Sequence, residues 1–370
     1  HGHHRDPAYN GVVLHVTWRA DTLWTRREDG VEVATVPLKG RLSLPVEALV
    51  ALDPSPEESP PFYMGCRRAA RALGREGVGR LLDLAGEARF KNKGARFQGE
   101  LACWPPGEVL YQGLLEALGY AKNREPFLHL GRLLPYSTLE GLAAGLPHQR
   151  RPDALAAWLL GTAGLLPSQS PEEARGPGSE DVKELEGMWR RSSLNREMKG
   201  PHWRTRRIRP ANHPRRRIMG AAHLMARFLD VGLLEEMERV VLEASWAEDP
   251  CPIEEGLMVP RYLGRERARE MAVNVVLPFF WALGQWRSDP LLCDACLRLF
   301  GRVPGGRGNR VTRQMALQLF EDEGPEIINS ARRQQGLIHL FKGPCRYGCC
   351  AGCPLGLALA DREIAVAPVS

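Results

Sequence analysis

Four cysteines, Cys345, Cys349, Cys350 and Cys353, fall within nine residues in the segment His339-Leu-Phe-Lys-Gly-Pro-Cys-Arg-Tyr-Gly-Cys-Cys-Ala-Gly-Cys-Pro. Thiolates ligate zinc and iron, and the breaks at Gly343, Pro344, Gly348 and Gly352 let backbone wrap a small ion or cluster. Cys345-x4-Cys350-x2-Cys353 has the internal spacing of a plant-type iron–sulfur run, but no fourth Cys follows, so a fourth ligand must come from upstream. His339, Cys296, Cys293 and Cys251 are the candidates. A zinc site can instead pair Cys293-x2-Cys296 with Cys350-x2-Cys353, although the intervening stretch is long for a zinc ribbon. The expectation is zinc or an iron–sulfur cluster on Cys345, Cys350 and Cys353, with Cys349 and His339 beside them. The bland alternative is a set of reduced thiols.

A second chemistry is phosphate binding. Residues 190–217 hold eleven Arg or Lys against one acid, Glu197, so this window carries +10 and the rest of the chain −4, for a net +6. The window ends in Arg207-Ile-Arg209-Pro-Ala-Asn-His-Pro-Arg215-Arg216-Arg217, immediately before a helical pattern. Cations in a first helical turn oppose the helix dipole, and a bound phosphate reverses that cost. Arg207, Arg209, Arg215, Arg216 and Arg217 are therefore candidate contacts to nucleic acid, DNA or RNA. Trp189, His202 and Trp203 are placed among them either to stack on bases or to pack in a core.

A third group, His1, His3, Asp6 and His15, combines imidazoles with a carboxylate and suits a metallohydrolase. Its His-x-His-x-x-Asp spacing departs from the metallo-β-lactamase run. Other chemistries are excluded: Pro304-Gly-Gly-Arg-Gly-Asn309 lacks the Lys-Ser/Thr ending of a phosphate-cradling loop, and no Gly-x-Ser-x-Gly elbow is present.

These residues need elements to position them. Val12 to Val16 and Val31 to Leu38 read as strands, and the Pro- and Ser-rich stretch from Asp53 reads as a linker. Beyond it the period becomes helical, at Leu110, Leu114, Leu115 and Leu118, at Leu155, Trp158 and Leu159, and again at Ile218, Ala221 and Met225. Residues 167–180 are poor in apolar side chains and separate two helical regions. The longest apolar run, Met271 to Gly284, contains Asn274 and Pro278 and is too short for a bilayer span. Clustered cysteines with no apolar leader point to a reducing cytoplasm, and the first residue, His1, suggests a chain truncated at its N-terminus.

Several phrases together resemble a known family: His1-Gly-His-His-Arg-Asp-Pro-Ala-Tyr-Asn, Glu108 to Asn123, Arg209-Pro-Ala-Asn-His-Pro-Arg-Arg-Arg, and Gln335-Gly-Leu-Ile-His-Leu with its cysteines. The chain resembles the bacterial domain of unknown function 2851 family from its first residue almost to its last. The resemblance implies a shared Cys-x4-Cys-x2-Cys ending, matched by Cys345, Cys350 and Cys353. It also implies an upstream segment, absent here, that looks like a PD-(D/E)xK nuclease core whose carboxylates hold Mg²⁺ in the full-length form.

The resulting expectation is an α+β protein. A remnant of a nuclease-like sheet domain over 1–52 precedes a helical region over 53–166, a linker over 167–186, and a helical domain over 187–370 with a basic patch and C-terminal metal site. The expected function is nucleic-acid processing, with the catalytic acids upstream. The alternatives are a non-catalytic nucleic-acid-binding or scaffold protein with a structural metal site, and a His-rich metallohydrolase.

Overall fold

Short alternating runs at the N-terminus and long apolar helical stripes after it produce two compact units, residues 1–65 and 66–370. The computed structural model describes residues 7–42, 61–169, 179–194, 196–198, 203–205, 208–247, 251–320 and 324–358. The architecture is α+β and mostly helical.

The first unit holds three strands, β1 (His15–Thr17), β2 (Trp24–Arg26) and β3 (Glu32–Pro37), in the order β1-β3-β2. β1 runs parallel to β3 with His15 opposite Thr35, and β2 runs antiparallel with Trp24 opposite Ala34. Gly30 turns the β2–β3 connection at φ 84°, where Asp29 accepts from the Arg27 guanidinium. The run from Val12 becomes strand only at His15, and β2 is too short for its alternation to stand out in the sequence. The expected boundary near residue 52 and the Pro-rich segment to residue 60 lie outside the described residues.

The second unit begins on α1 (Pro61–Leu101), which is interrupted at Gly74 (φ 69°, ψ 174°). Next come α2 (Pro106–Leu118), α3 (Arg124–Leu133), α4 (Tyr136–Ala143), α5 (Arg151–Thr162) and α6 (Ser179–Arg191). They are followed by α7 (Pro214–Ala226), α8 (Leu233–Trp246), α9 (Cys251–Leu257) and α10 (Arg265–Met271). A π-helical turn, Ala272–Val276, leads into α11 (Leu277–Arg287), and α12 (Pro290–Arg302), α13 (Arg310–Leu319), α14 (Gly324–Ile327) and α15 (Ala331–Lys342) complete the unit.

Local chemistry explains many of these boundaries. Asp289 caps α12 by accepting from the Leu292 amide, Asn309 and Thr312 form a reciprocal capping box on α13, and Ser330 caps α15. The buried Glu108 carboxylate caps α4 from a distance, accepting from the amides of Tyr136 and Ser137 at 2.9 Å each. The π-turn has a cause in Pro278, which has no N–H to offer the carbonyl four residues back and whose ring crowds it.

Two cores result. The larger takes Leu110, Leu114, Leu155, Ile218, Phe279 and Phe280 among many others, and draws on residues before and after 167–186 alike. The smaller joins Ala69, Val78 and Leu82 of α1 to Met315 of α13 and to Leu337 and Leu340 of α15. α1 serves both, because its later residues Phe90 and Phe97 belong to the larger core. Its crossing with α15 is backbone-close: a Cβ on Gly336 would meet the Leu82 carbonyl oxygen at 2.2 Å, and one on Gly86 would meet that of Arg332 at 2.2 Å. Only glycine fits at either place.

Candidate functional site

The cysteine segment folds as two tight turns. Cys345–Tyr347 forms a 3₁₀ turn closed by Gly348 at φ 65°, and Cys350–Gly352 forms a second, after which the Cys353 amide donates to the Cys350 carbonyl at 3.1 Å. Gly356 keeps the second turn tight, since a Cβ there would meet the Cys350 carbonyl oxygen at 2.1 Å. Cys353 is buried in the smaller core, and Cys345 and Cys66 pack against that same core.

Cys66, near the start of α1, is a further thiol at this core, and its place there has no signal in the sequence around it. Burial raises the Cys66 thiol, and the nearby Cys353 and Cys350 raise it further. Cys345 is pushed up to about 11 by burial first, then by Cys353, Cys66 and Cys350. Cys66 and Cys345 are thus thiols that ionise reluctantly unless a cation joins them. Cys349 is exposed, its thiol donating to the Tyr347 carbonyl at 3.6 Å. As the side chains stand, no three described His, Cys, Asp or Glu residues are drawn tightly enough to enclose one ion.

The other candidate ligands lie elsewhere. Cys293 and Cys296 are buried on α12, where Cys296 belongs to the larger core and Cys293 accepts from Gln285 Nε2 at 3.1 Å. Cys251 opens α9. His339 has its imidazole lowered by burial and by Arg89, so it faces a cationic neighbour on α1.

The arginines before α7 are engaged with the protein itself. Arg215 Nε donates to the Leu165 carbonyl at 2.7 Å, and Arg216 donates to the Arg261 carbonyl and lies over the Tyr262 ring. Arg217 is 5% exposed and donates to the Tyr262 carbonyl at 3.0 Å, Tyr120 Oη at 2.8 Å and Asn212 Oδ1 at 2.9 Å. Each guanidinium pins α7 to a neighbouring segment through neutral acceptors. Arg209 is exposed and Arg207 lies outside the described residues. Trp203 and Trp189 are packing residues: the Trp203 indole donates to the Ala163 carbonyl at 2.8 Å, and Trp189 lies against Gly161.

His1, His3 and Asp6 lie outside the described residues. His15 is exposed and shares a hydrogen bond with Thr25 Oγ1 at 2.8 Å, which in turn bonds Thr35 Oγ1 at 2.7 Å.

A second polar cluster had no sequence signal of its own. Lys93 Nζ donates to Asn274 Oδ1 at 2.5 Å and to Gln335 Oε1 at 2.7 Å, while Arg89 Nε donates to that same Gln335 oxygen at 2.8 Å. Asn274 sits in the π-turn, and its Nδ2 donates to the Glu270 carbonyl at 2.7 Å, which fixes the amide with its oxygen toward Lys93. Burial holds the Lys93 ammonium well below its usual range, and Arg89, Lys342 and Arg124 add to the effect. The shared Gln335 oxygen is a neutral acceptor, so it orients both side chains without neutralising either.

Fold and site define a mostly helical α+β protein with neighbouring thiols on its smaller core and a cationic cluster beside a π-turn. The chain belongs to the family described as "Protein of unknown function (DUF2851)", which matches residues 1–307. Cys66, Arg89, Lys93 and Asn274 lie within the match, and Gln335, His339 and the clustered cysteines lie beyond it. No curated protein and no solved structure matches the chain. Among the described residues, no helix is long and apolar enough to cross a membrane.

Proposed function

We propose that the protein is a nucleic-acid-binding factor whose helical unit is closed by a cysteine-ligated metal centre, zinc or an iron–sulfur cluster. The observation that carries this reading is the packing of Cys66, Cys345 and Cys353 on one small core, with Cys350 near enough to act on the Cys66 and Cys345 thiols. A metal held there would link α1 to the C-terminal turns. Charge supports the nucleic-acid partner: α1 carries nine Arg or Lys against four acids, and residues 190–217 carry the excess noted above. Binding is the proposed activity because it is what this cationic charge supports.

Protein purified without oxygen should hold one zinc ion or one cluster, distinguished by elemental zinc, iron and sulfide and by visible absorbance. A Cys66→Ser variant should lose that metal. Metal retained in full by Cys66→Ser, or its absence from the native protein, counts against the centre. Oligonucleotide affinity that ignores salt counts against the nucleic-acid partner.

A further inference from the structure

α1 and α15 meet along a line of charged residues, and the two ends of that line differ. At one end Asp83 accepts from Arg332 Nε at 3.0 Å and from Arg333 Nε at 3.2 Å, and Glu87 accepts from Arg332 Nη1 at 3.0 Å. Each cation there has a carboxylate. Further along, α1 offers Arg89 and Lys93, one helical turn apart, and α15 offers Gln335, His339 and Lys342 on one face. Among the described residues no carboxylate lies within ion-pair distance of Arg89, Lys93 or Lys342, nor of Arg346 just past α15. Arg124, whose charge also reaches Lys93, is already paired with Glu116 at 2.5 Å.

We infer that Arg89, Lys93, Asn274, Gln335, His339 and Lys342 form a binding site for a phosphate-class oxyanion. The donors fit that ligand. An ammonium has three N–H groups; Asn274 and Gln335 take two of Lys93's, leaving the third for a ligand. Arg89 donates to Gln335 through Nε alone, so its Nη fork remains for a bidentate contact with tetrahedral oxygens. The acceptors around the site are neutral amides, which orient the cations without neutralising them. Both amides are held: Asn274 by its bond to the Glu270 carbonyl, and Gln335 by its two cations. The cations are thus pre-ordered before any anion arrives. The π-turn, a backbone irregularity that often marks functional sites, is what brings Asn274 into reach.

This inference deepens the nucleic-acid reading by naming where one phosphate is held, and it rests on that reading only for the identity of the larger ligand. The test uses the full chain with inorganic phosphate, pyrophosphate and a single-stranded oligonucleotide as separate probes. Calorimetric titration should give saturable phosphate or pyrophosphate binding, weakened at least tenfold in Lys93→Met. Lys342 is exposed, so Lys342→Glu provides a variant whose folding is not in question, and it should weaken binding by a similar factor. Lys93→Met should also melt no lower than the native protein in phosphate-free buffer, since it removes an unneutralised charge; a purely structural lysine gives the opposite shift. Unchanged phosphate affinity in both variants, or no saturable binding by the native chain, overturns the site. Oligonucleotide binding at native affinity in both variants, with phosphate affinity unchanged as well, overturns the site while sparing the nucleic-acid reading. Phosphate binding without oligonucleotide binding supports the site and defeats that reading.

Discussion

Lys93 of α1 donates to Asn274 of the π-turn at 2.5 Å, so the middle of the longest helix is tied to the one irregular turn in the α10–α11 rod. The bond joins a cation to a neutral amide in surroundings where the other charges felt by Lys93 are those of Arg89, Lys342 and Arg124. A charge placed this way costs stability in the free protein, and that cost has measurable consequences.

The first concerns pH. Burial, then Arg89, Lys342 and Arg124, hold Lys93 well below 10.5 in the folded state. Between the folded value and 10.5 the unfolded chain binds the extra proton, so stability rises with pH across that window and is lost again as pH falls through the folded value. The difference in melting temperature between native protein and Lys93→Met should therefore shrink as pH approaches 10.5. A difference that is constant with pH sinks the assignment.

The second concerns the helix crossing. Gly336→Ala places a Cβ against the Leu82 carbonyl oxygen, where neither backbone can yield without moving a helix. The substitution should destabilise the second unit by about 1–3 kcal/mol or more, read by denaturant titration. It should also weaken phosphate binding, because Gln335 is the adjacent residue. A neutral effect would show that α15 is free to shift.

The third concerns the acid-paired end of the same contact. Asp83 accepts from both Arg332 and Arg333, so Asp83→Ala leaves two partly buried guanidiniums with fewer acceptors. A loss of about 1–3 kcal/mol is expected. Arg333→Ala alone should cost less, since Asp83 keeps Arg332. Equal losses in the two variants would argue against the shared-acceptor geometry.

The fourth concerns the larger core. Phe90 is 1% exposed, stacks on Phe300 at 4.8 Å between centroids, and meets the Trp281 ring edge-on at 6.1 Å. Phe90→Ala should cost about 3–5 kcal/mol and lower the unfolding midpoint accordingly. A loss below about 1 kcal/mol would mean that α1 does not depend on this packing.

Local patterns were legible in the sequence because their causes are local. Leu110, Leu114, Leu115 and Leu118 share a face by helical period alone, and they lie at the centre of the larger core. Pro152 and Asp153 mark the first turn of α5, and Cys345-x4-Cys350-x2-Cys353 announces two tight turns by its own glycines. What the tertiary structure alone decided are pairings between distant segments. Cys66 stands alone in an arginine-rich helix, and nothing in its neighbours links it to Cys353 until the smaller core forms. Arg215, Arg216 and Arg217 also donate to the carbonyls of Leu165, Arg261 and Tyr262, which belong to other parts of the chain and which the arginines' own spacing does not announce. Lys93, Asn274 and Gln335 are each unremarkable in sequence. They meet because α1 crosses α15 where glycines permit close approach and passes a turn distorted by Pro278, and that juxtaposition depends on packed volumes, which residue spacing does not encode.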